Sequence, residues 1–510
     1  MSAVAEKVSE LPDGWLKTTL GDLVEYVTSG SRDWKKFYAD KGSAFIRTQN
    51  IKTYILDLDD VAYVELPEKV EGKRTRVFKD DLLITITGAN VGKVAHVNKE
   101  IEEAYVSQSV ALVRLKDKNM APYLYYHLRT RDGASSQLEA LAYGMGRPVL
   151  NLNNIKEVQI NLAPPEQQKR IVAKIEELFS HIDAGIGALK KAKQLLKQYR
   201  QSVLKAAVTG ELTKEWRKAN KDKLEPATQL LERILKERRK KWEEQQLEQF
   251  KAKGKMPKND KWKEKYKELV LPDESELSEL PSEWVWVNWE TILSNEDGAF
   301  KRGPFGSALK KSIFVESGYK VYEQYCPIND DCSFARYYIT DEKFEELKSF
   351  AVKAGDFLIS CSGVTLGRIT QVPDDFEEGI INQALLRVRI NKDIVDEKYF
   401  KMFFRSPYFQ GQIFDNVAGV AIPNVKGVKD LKAIPVPLPL IIEQLVIYEK
   451  VNEKTSAIDR MESEIDAQLK KAERNKQSIL ASAFAGKLDT DSKRSSIASL
   501  EESKKVLARG

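Results

Sequence analysis

The stretch Gln201-Ser202-Val203-Leu204-Lys205-Ala206-Ala207-Val208-Thr209-Gly210-Glu211-Leu212 returns as Gln477-Ser478-Ile479-Leu480-Ala481-Ser482-Ala483-Phe484-Ala485-Gly486-Lys487-Leu488, an offset of 276 residues. The pattern repeats position for position and closes on Gly-x-Leu both times. Upstream, Asp81-Leu82-Leu83-Ile84-Thr85-Ile86-Thr87-Gly88 matches Asp356-Phe357-Leu358-Ile359-Ser360-Cys361-Ser362-Gly363 at an offset of 275, and Leu11-Pro12 and Trp15 recur as Leu280-Pro281 and Trp284. Solenoid repeats run ~20–50 residues, so a period this long implies duplication of a whole globule with its helix. The expected order is globule, helix, globule, helix.

The 510 residues are 42% hydrophobic, enough to furnish real cores. There is no charged-then-apolar leader and no apolar run near the ~20 residues of a membrane span. A cytosolic protein is expected. Cys326, Cys332 and Cys361 lie in the second half, whereas His96, His127 and His181 lie in the first. Neither half supplies the four local ligands of a structural zinc site, so no metal is expected. The net charge of +6 is only a weak pointer to nucleic acid.

The first globule spans roughly residues 10–163. Leu82 to Thr87 and Val106 to Leu115 are rich in β-branched residues and bounded by Gly or Asn, which predicts strands. A short helix over Pro122 to Arg129 and a polar stretch up to Gly146 complete an α+β domain with a twisted sheet. Pro164-Pro165 then ends the last strand and opens a helix, because proline is tolerated at a helix start but not inside one.

From there Ile175, Leu178, Ile182, Leu189, Ala192, Leu196, Tyr199, Val203 and Ala206 recur on steps of three and four, with Gly185 as a weak slot. This is a coiled-coil seam. The second copy carries Val451, Ile458, Met461, Ile465, Leu469, Ala472, Ile479 and Ala483 on a looser stripe. Each helix of about 45 residues would be about 65 Å long, with one apolar face wanting a partner. The simplest partner is the other helix, paired antiparallel about a pseudo-two-fold axis as a rod with a globule at each end; packing of each helix on its own globule is the alternative.

Residues 214–270 are dense in Lys, Arg and Glu, with exposed-looking Trp216 and Trp242 and breaks at Pro226, Gly254 and Pro257. Ala227 to Lys253 fits a charged helix, and a solvated connector is the simplest expectation.

No catalytic apparatus is visible. Gly88-Ala89-Asn90-Val91-Gly92-Lys93 has three residues where a phosphate loop needs four, and it lacks the Ser or Thr that holds magnesium. Its counterpart Gly363-Val364-Thr365-Leu366-Gly367-Arg368 fits a hairpin turn or a phosphate contact equally well. Asp330-Asp331 and Asp374-Asp375 lack the lysine and strand context of a metal-dependent nuclease.

Several clusters suit DNA instead. In the first globule they hold Arg32, Arg47, Gln49, Lys73, Arg74, Arg76, Asn90, Lys93, Gln108 and Arg147. In the second they hold Lys301, Arg302, Ser307, Gln324, Arg336, Tyr337, Thr365, Arg368 and Gln383. Arg pairs with guanine and Asn or Gln with adenine in the major groove, while Ser, Thr and Lys commonly hold phosphates.

The doubled order Leu-Pro-x-x-Trp, Gly-x-x-x-Gly-Lys/Arg, Ser/Asn-Gln, proline-rich strand end, heptad helix and Gly-x-Leu closely resembles the specificity subunit of type I restriction-modification systems over nearly the whole chain. Departures are Gln167-Gln168 where the second copy has Glu443-Gln444, and Leu440-Ile441-Ile442 in place of a proline pair. The resemblance implies two target recognition domains, at 1–163 and 276–440, and spacer helices at 164–213 and 441–490. A partly helical connector at 214–275 and a flexible tail at 491–510 complete the division. It implies a non-catalytic chain that reads a bipartite asymmetric DNA site. Two methyltransferase subunits would carry S-adenosylmethionine, and endonuclease/translocase subunits would join them. A self-contained nuclease and a peptide-binding scaffold are the alternatives. Ile182, Leu189, Leu196, Tyr199 and Val203 would pair with Ile458, Ile465, Leu469 and Ile479.

Overall fold

The computed structural model describes residues 11–30, 33–52, 55–67, 72–144, 146, 148–305, 308–363, 365–414 and 425–489. The tail expected at 491–510 lies outside the described residues. The chain divides into two compact units, Met1–Lys191 with Glu464–Gly510, and Ala192–Ser463.

In the first unit an antiparallel sheet runs in the order Val24–Ser29, Val110–Leu115, Leu82–Thr85, Val94–His96. A second sheet has the order Ala104–Val106, Ser43–Ile46, Ala62–Val64, Tyr38–Ala39, its first pair parallel. The single strand expected from Val106 to Leu115 is therefore two strands in two sheets, and the expected single sheet is likewise two. The break falls at the polar run Ser107-Gln108-Ser109, which separates the two apolar stretches.

The second unit repeats this plan. One sheet has the order Phe300–Arg302, Leu385–Val388, Phe357–Ser360, Ile369–Gln371. The other contains Tyr338–Ile339, Tyr319–Tyr322 and Gly379–Ile381, with a parallel pair in the equivalent place. Both copies close with a two-stranded ladder in the same register: Leu16 opposite Leu162, and Val285 opposite Leu438. A buried bidentate pair also repeats, Arg114 with Asp81 (2.9 and 2.6 Å) and Arg389 with Asp356 (2.6 and 3.0 Å). Each lies at the start of the strand that opens the duplicated Asp-x-Leu-Ile motif, where an unpaired buried carboxylate would be costly.

The two long helices are Pro165–Val208 and Ile441–Phe484, 44 residues each, or about 66 Å. Proline opens the first; the second starts at the equivalent residue without one, so the loss of the proline pair does not move the helix start. Their final turns do not close on the globule they leave. Leu480, Ala483 and Phe484 enter the core of the first unit, and Val203, Ala207 and Val208 enter the core of the second. Gly486 is packed against Pro12, and Gly210 against Pro281, where a Cβ would collide with the proline ring. The duplicated Gly-x-Leu and Leu-Pro-x-x-Trp motifs thus meet in space.

The helices run antiparallel within each unit. In the first, Lys476 bonds Asp183 at 2.5 Å and lies over Phe179, while Asn161 reaches the Phe484 carbonyl. In the second, Arg200 takes Asp459 and Glu462 at 2.5 and 3.2 Å, and Thr213 meets Glu443 at 2.6 Å. Ile458 and Ile465 are buried, as is Val203; Ile182, Leu189, Leu196, Leu469 and Ile479 are half-buried. Tyr199 (46% exposed) and Met461 (54%) leave the stripe. A 3.6-residue helix drifts off a heptad register, and Arg200 occupies the contact that Tyr199 was expected to make.

The connector contains the expected helix, at Ala227–Ala252. It is not solvated throughout: Leu230 and Ile234 are buried in the core of the second unit. Trp216 is half-buried, and Trp242 stacks on Trp262 at 5.9 Å beside Tyr266, so neither is exposed.

Candidate nucleic-acid interface

In both globules the chain switches sheets at the pair that follows a short buried strand: Ser107-Gln108 after Ala104–Val106, and Asn382-Gln383 after Gly379–Ile381. The switch is held identically. Ser107 N–H donates to the Ile46 carbonyl and Ile86 N–H to Ser109; Asn382 N–H donates to Tyr322 and Cys361 N–H to Ala384, all at 2.8–3.0 Å. Gly30 and Gly303 press onto the crossing, where a Cβ would overlap the carbonyls of Val106 and Asn382. Only glycine permits this approach. Behind the exposed Gln108 and Gln383 the backbone is therefore fully specified.

Around this point the structure gathers several expected residues. Arg47 directly follows the anchoring Ile46; its guanidinium lies 5.9 Å over Tyr38. The loop of Asn90 and Lys93 is a hairpin between Leu82–Thr85 and Val94–His96, both side chains half-buried, with Gly88 N–H bonded to the Pro148 carbonyl. Hairpin geometry is thus what the glycines of Gly88 to Lys93 serve. In the second globule Gln324 follows the strand end at Tyr322 and donates to the carbonyl and hydroxyl of Ser362 at 2.5 and 3.1 Å, tying that strand to the hairpin of Thr365 and exposed Arg368. Its amide nitrogen is therefore committed to structure. Arg302 is half-buried near Cys361, whose thiol burial pushes up to about 12. Arg336 is exposed, 3.9 Å from Glu323, and Tyr337 stacks on Phe314 at 4.3 Å.

Other expected residues do not join the group as drawn. Lys73, Arg74 and Arg76 are exposed on and after a short turn whose end is held by Arg114 on the Arg76 carbonyl, and Gln49 is exposed in the turn after Arg47. Lys301 sits 4.2 Å over the Phe350 ring; burial, helped by Arg387, lowers its pKa. Arg32, Arg147 and Ser307 lie outside the described residues. Phe305, 89% exposed two residues after Gly303, lies in the same stretch as the expected Lys301, Arg302 and Ser307 but was not singled out from sequence.

Asp330 is structural. Burial, which raises its pKa, is outweighed by bonds from Lys401 (2.7 Å), Arg405 (2.9 Å) and Thr370 (2.8 Å), and the carboxyl falls to about 2. Among the described residues no three His, Cys, Asp or Glu side chains are grouped to hold a metal, and no helix is long and apolar enough to cross a membrane.

Residues 12–193 match the family model described as type I restriction modification DNA specificity domain. The chain is 25% identical over 493 residues to the EcoBI specificity subunit of Escherichia coli, covering 93% of this chain and 86% of that one. It is 24% identical over 498 residues to the EcoKI specificity subunit of E. coli K12, covering 94% and 90%. A solved structure described as showing complex assembly and conformational transition of the type I restriction-modification system superposes with a TM-score of 0.61 at 17% identity, over 94% of this chain and all of that one. The matched domain, the coverage of full-length relatives and the shared fold with its two long helices place this chain in the family of type I restriction-modification DNA specificity subunits.

Proposed function

We propose that each globule reads one half of a bipartite, asymmetric DNA site through the face at its sheet switch, and that the paired helices fix the gap and dock two methyltransferase subunits. The supporting observation is the switch itself: one backbone built twice carries Arg47, Ser107 and Lys93 in one copy and Glu323, Asn382 and Arg368 at the matching places in the other. A constant frame with different side chains at its matching places suits two readers of different sequence. Gln108, Gln383, Arg47, Asn90, Lys93, Arg302, Arg336, Tyr337, Thr365 and Arg368 are the proposed contacts on that face. Gln49, Lys73, Arg74, Arg76 and Lys301 are proposed for flanking phosphates, Gln324 is proposed to hold the Thr365 hairpin in place on that face through its bonds to Ser362, and Arg32, Arg147 and Ser307 remain proposed contacts.

In this reading S-adenosylmethionine belongs to the methyltransferase subunits, and endonuclease/translocase subunits complete the restriction complex. The test is a methylome. The chain is co-expressed with its methyltransferase subunit in a methylation-free host, and N6-methyladenine is mapped by single-molecule sequencing. One split motif with a fixed gap, lost without this chain, is the expected result; half-sites on one DNA face recur about every 10–10.5 base pairs. A stable complex that methylates no sequence overturns the proposal.

A further inference from the structure

The connector helix covers a surface of the second globule whose counterpart on the first is uncovered among the described residues. Strand Val285–Asn288 lies beneath it: Leu230 and Ile234 are buried there, and Leu224, Leu231 and Val285 pack against the same cluster. The helix is pinned at its start by Ala227 N–H on the Ser282 carbonyl and further along by Lys241 on Asp393 at 2.5 Å; Arg233 clasps Glu225 at 2.5 Å. The equivalent strand of the first globule, Leu16–Thr19, borders an open groove of about 720 Å³ lined by Leu16, Leu23, Met120, Leu162, Pro164 and Val172. Leu16 is 64% exposed, although its counterpart Val285 is half-buried.

The sequence holds a second copy of the covering segment. Leu224-Glu225-Pro226-Ala227-Thr228-Gln229-Leu230-Leu231-Glu232-Arg233 is matched by Leu500-Glu501-Glu502-Ser503-Lys504-Lys505-Val506-Leu507-Ala508-Arg509, at the offset of 276 that relates the helix ends. Leu224, Leu230 and Leu231 become Leu500, Val506 and Leu507, the clasp Glu225–Arg233 becomes Glu501–Arg509, and only the buried Ile234 is lost, to Gly510. The reach is the same, because Leu212 precedes Leu224 by as many residues as Leu488 precedes Leu500. Leu488 already packs on the first core as Leu212 packs on the second. Lys504 and Lys505 complement Asp117 and Glu176, which line the groove together with Lys169.

We propose that residues 500–509 dock as a short helix across strand Leu16–Thr19 and fill this groove, completing on the first globule the cover that Leu224 to Ile234 provides on the second. The cover buries apolar side chains that would otherwise face water, and it restores the internal symmetry.

The full-length chain tests this without DNA or partner subunits. Benzoylphenylalanine placed at Leu16 should cross-link, on irradiation, to a peptide within residues 500–509, and the adduct should fall about tenfold in Val506→Asp/Leu507→Asp. Independently, amides of Leu16 to Leu23 should exchange about tenfold faster in a chain ending at Asp489 than in the full chain. Adducts only to a second copy, or exchange that is unchanged by the truncation, overturn the proposal.

Discussion

At position 127 the first copy carries histidine, where the second, at 403, carries phenylalanine. The difference is compensated across the fold. His127 is buried and its Nε2 accepts the Asn161 N–H at 3.0 Å; at the ladder position equivalent to Asn161 the second copy has Pro437, which has no N–H to satisfy. Burial lowers the His127 pKa from the ordinary 6.5 to about 4, so folding favours the neutral ring. Stability from this residue is therefore complete above about 6.5 and is lost as pH falls toward 4. His127→Phe is expected to cost about 1–3 kcal/mol at pH 7, because Asn161 loses its acceptor. It should also remove this contribution to acid sensitivity. Thermal melts at pH 7 and 5 check both: a variant with the wild-type acid slope rules the role out. A related economy appears at the helix starts, where Gln167 bonds Trp15 at 3.1 Å while Glu443 bonds Trp284 at 2.9 Å and Arg217 at 2.5 Å. The apparent departure from the family pattern is one indole acceptor in neutral and ionised form.

Among the elements, the long helices carry the clearest test. Leu196 is half-buried on the seam, whereas Tyr199, one turn on, faces solvent. Leu196→Asp is expected to destabilise the helix pair by about 2 kcal/mol, since it removes apolar contact and buries part of a charge. Tyr199→Asp should stay within about 0.5 kcal/mol, as exposed substitutions usually do. Hydrogen exchange along both helices reads the difference; equal effects at the two positions would mean that the seam lies elsewhere.

For the whole molecule, duplication predicts independence of the two readers. Gly30→Ala would force the Ser107-Gln108 switch away from Gly30, and Gly303→Ala would do the same at Asn382-Gln383. On the proposed reading each is expected to reduce methylation about tenfold or more through one half-site alone, because displacing a proposed base contact would forfeit about 1–3 kcal/mol. In the methylome of Gly30→Ala the motif should relax or vanish at one half and keep the other half and the gap. Relaxation of both halves by either variant would show that the two readers are coupled.

The sequence by itself determined that the chain is a duplicated globule and helix, where each long helix starts, and which family it resembles. These are one-dimensional properties, fixed by an internal offset, by heptad spacing and by proline and glycine at element ends. The helices expected to run to 213 and 490 end earlier, at Val208 and Phe484. Much of the candidate site was named there too, since Gln108 and Gln383, the two hairpins and Arg47 stand beside recognisable strand ends. Only the tertiary structure decided that each globule has two sheets joined at those glutamines, that Gly30 and Gly303 clamp the switch, and that Gln324 and Lys301 are partly committed to internal contacts. It also decided that Tyr199 leaves the seam and that each helix end closes on the Leu-Pro-x-x-Trp motif of the other copy. The physical reason is separation along the chain: Asn161 meets Phe484, and Thr213 meets Glu443, through packing and hydrogen bonds that no local pattern encodes.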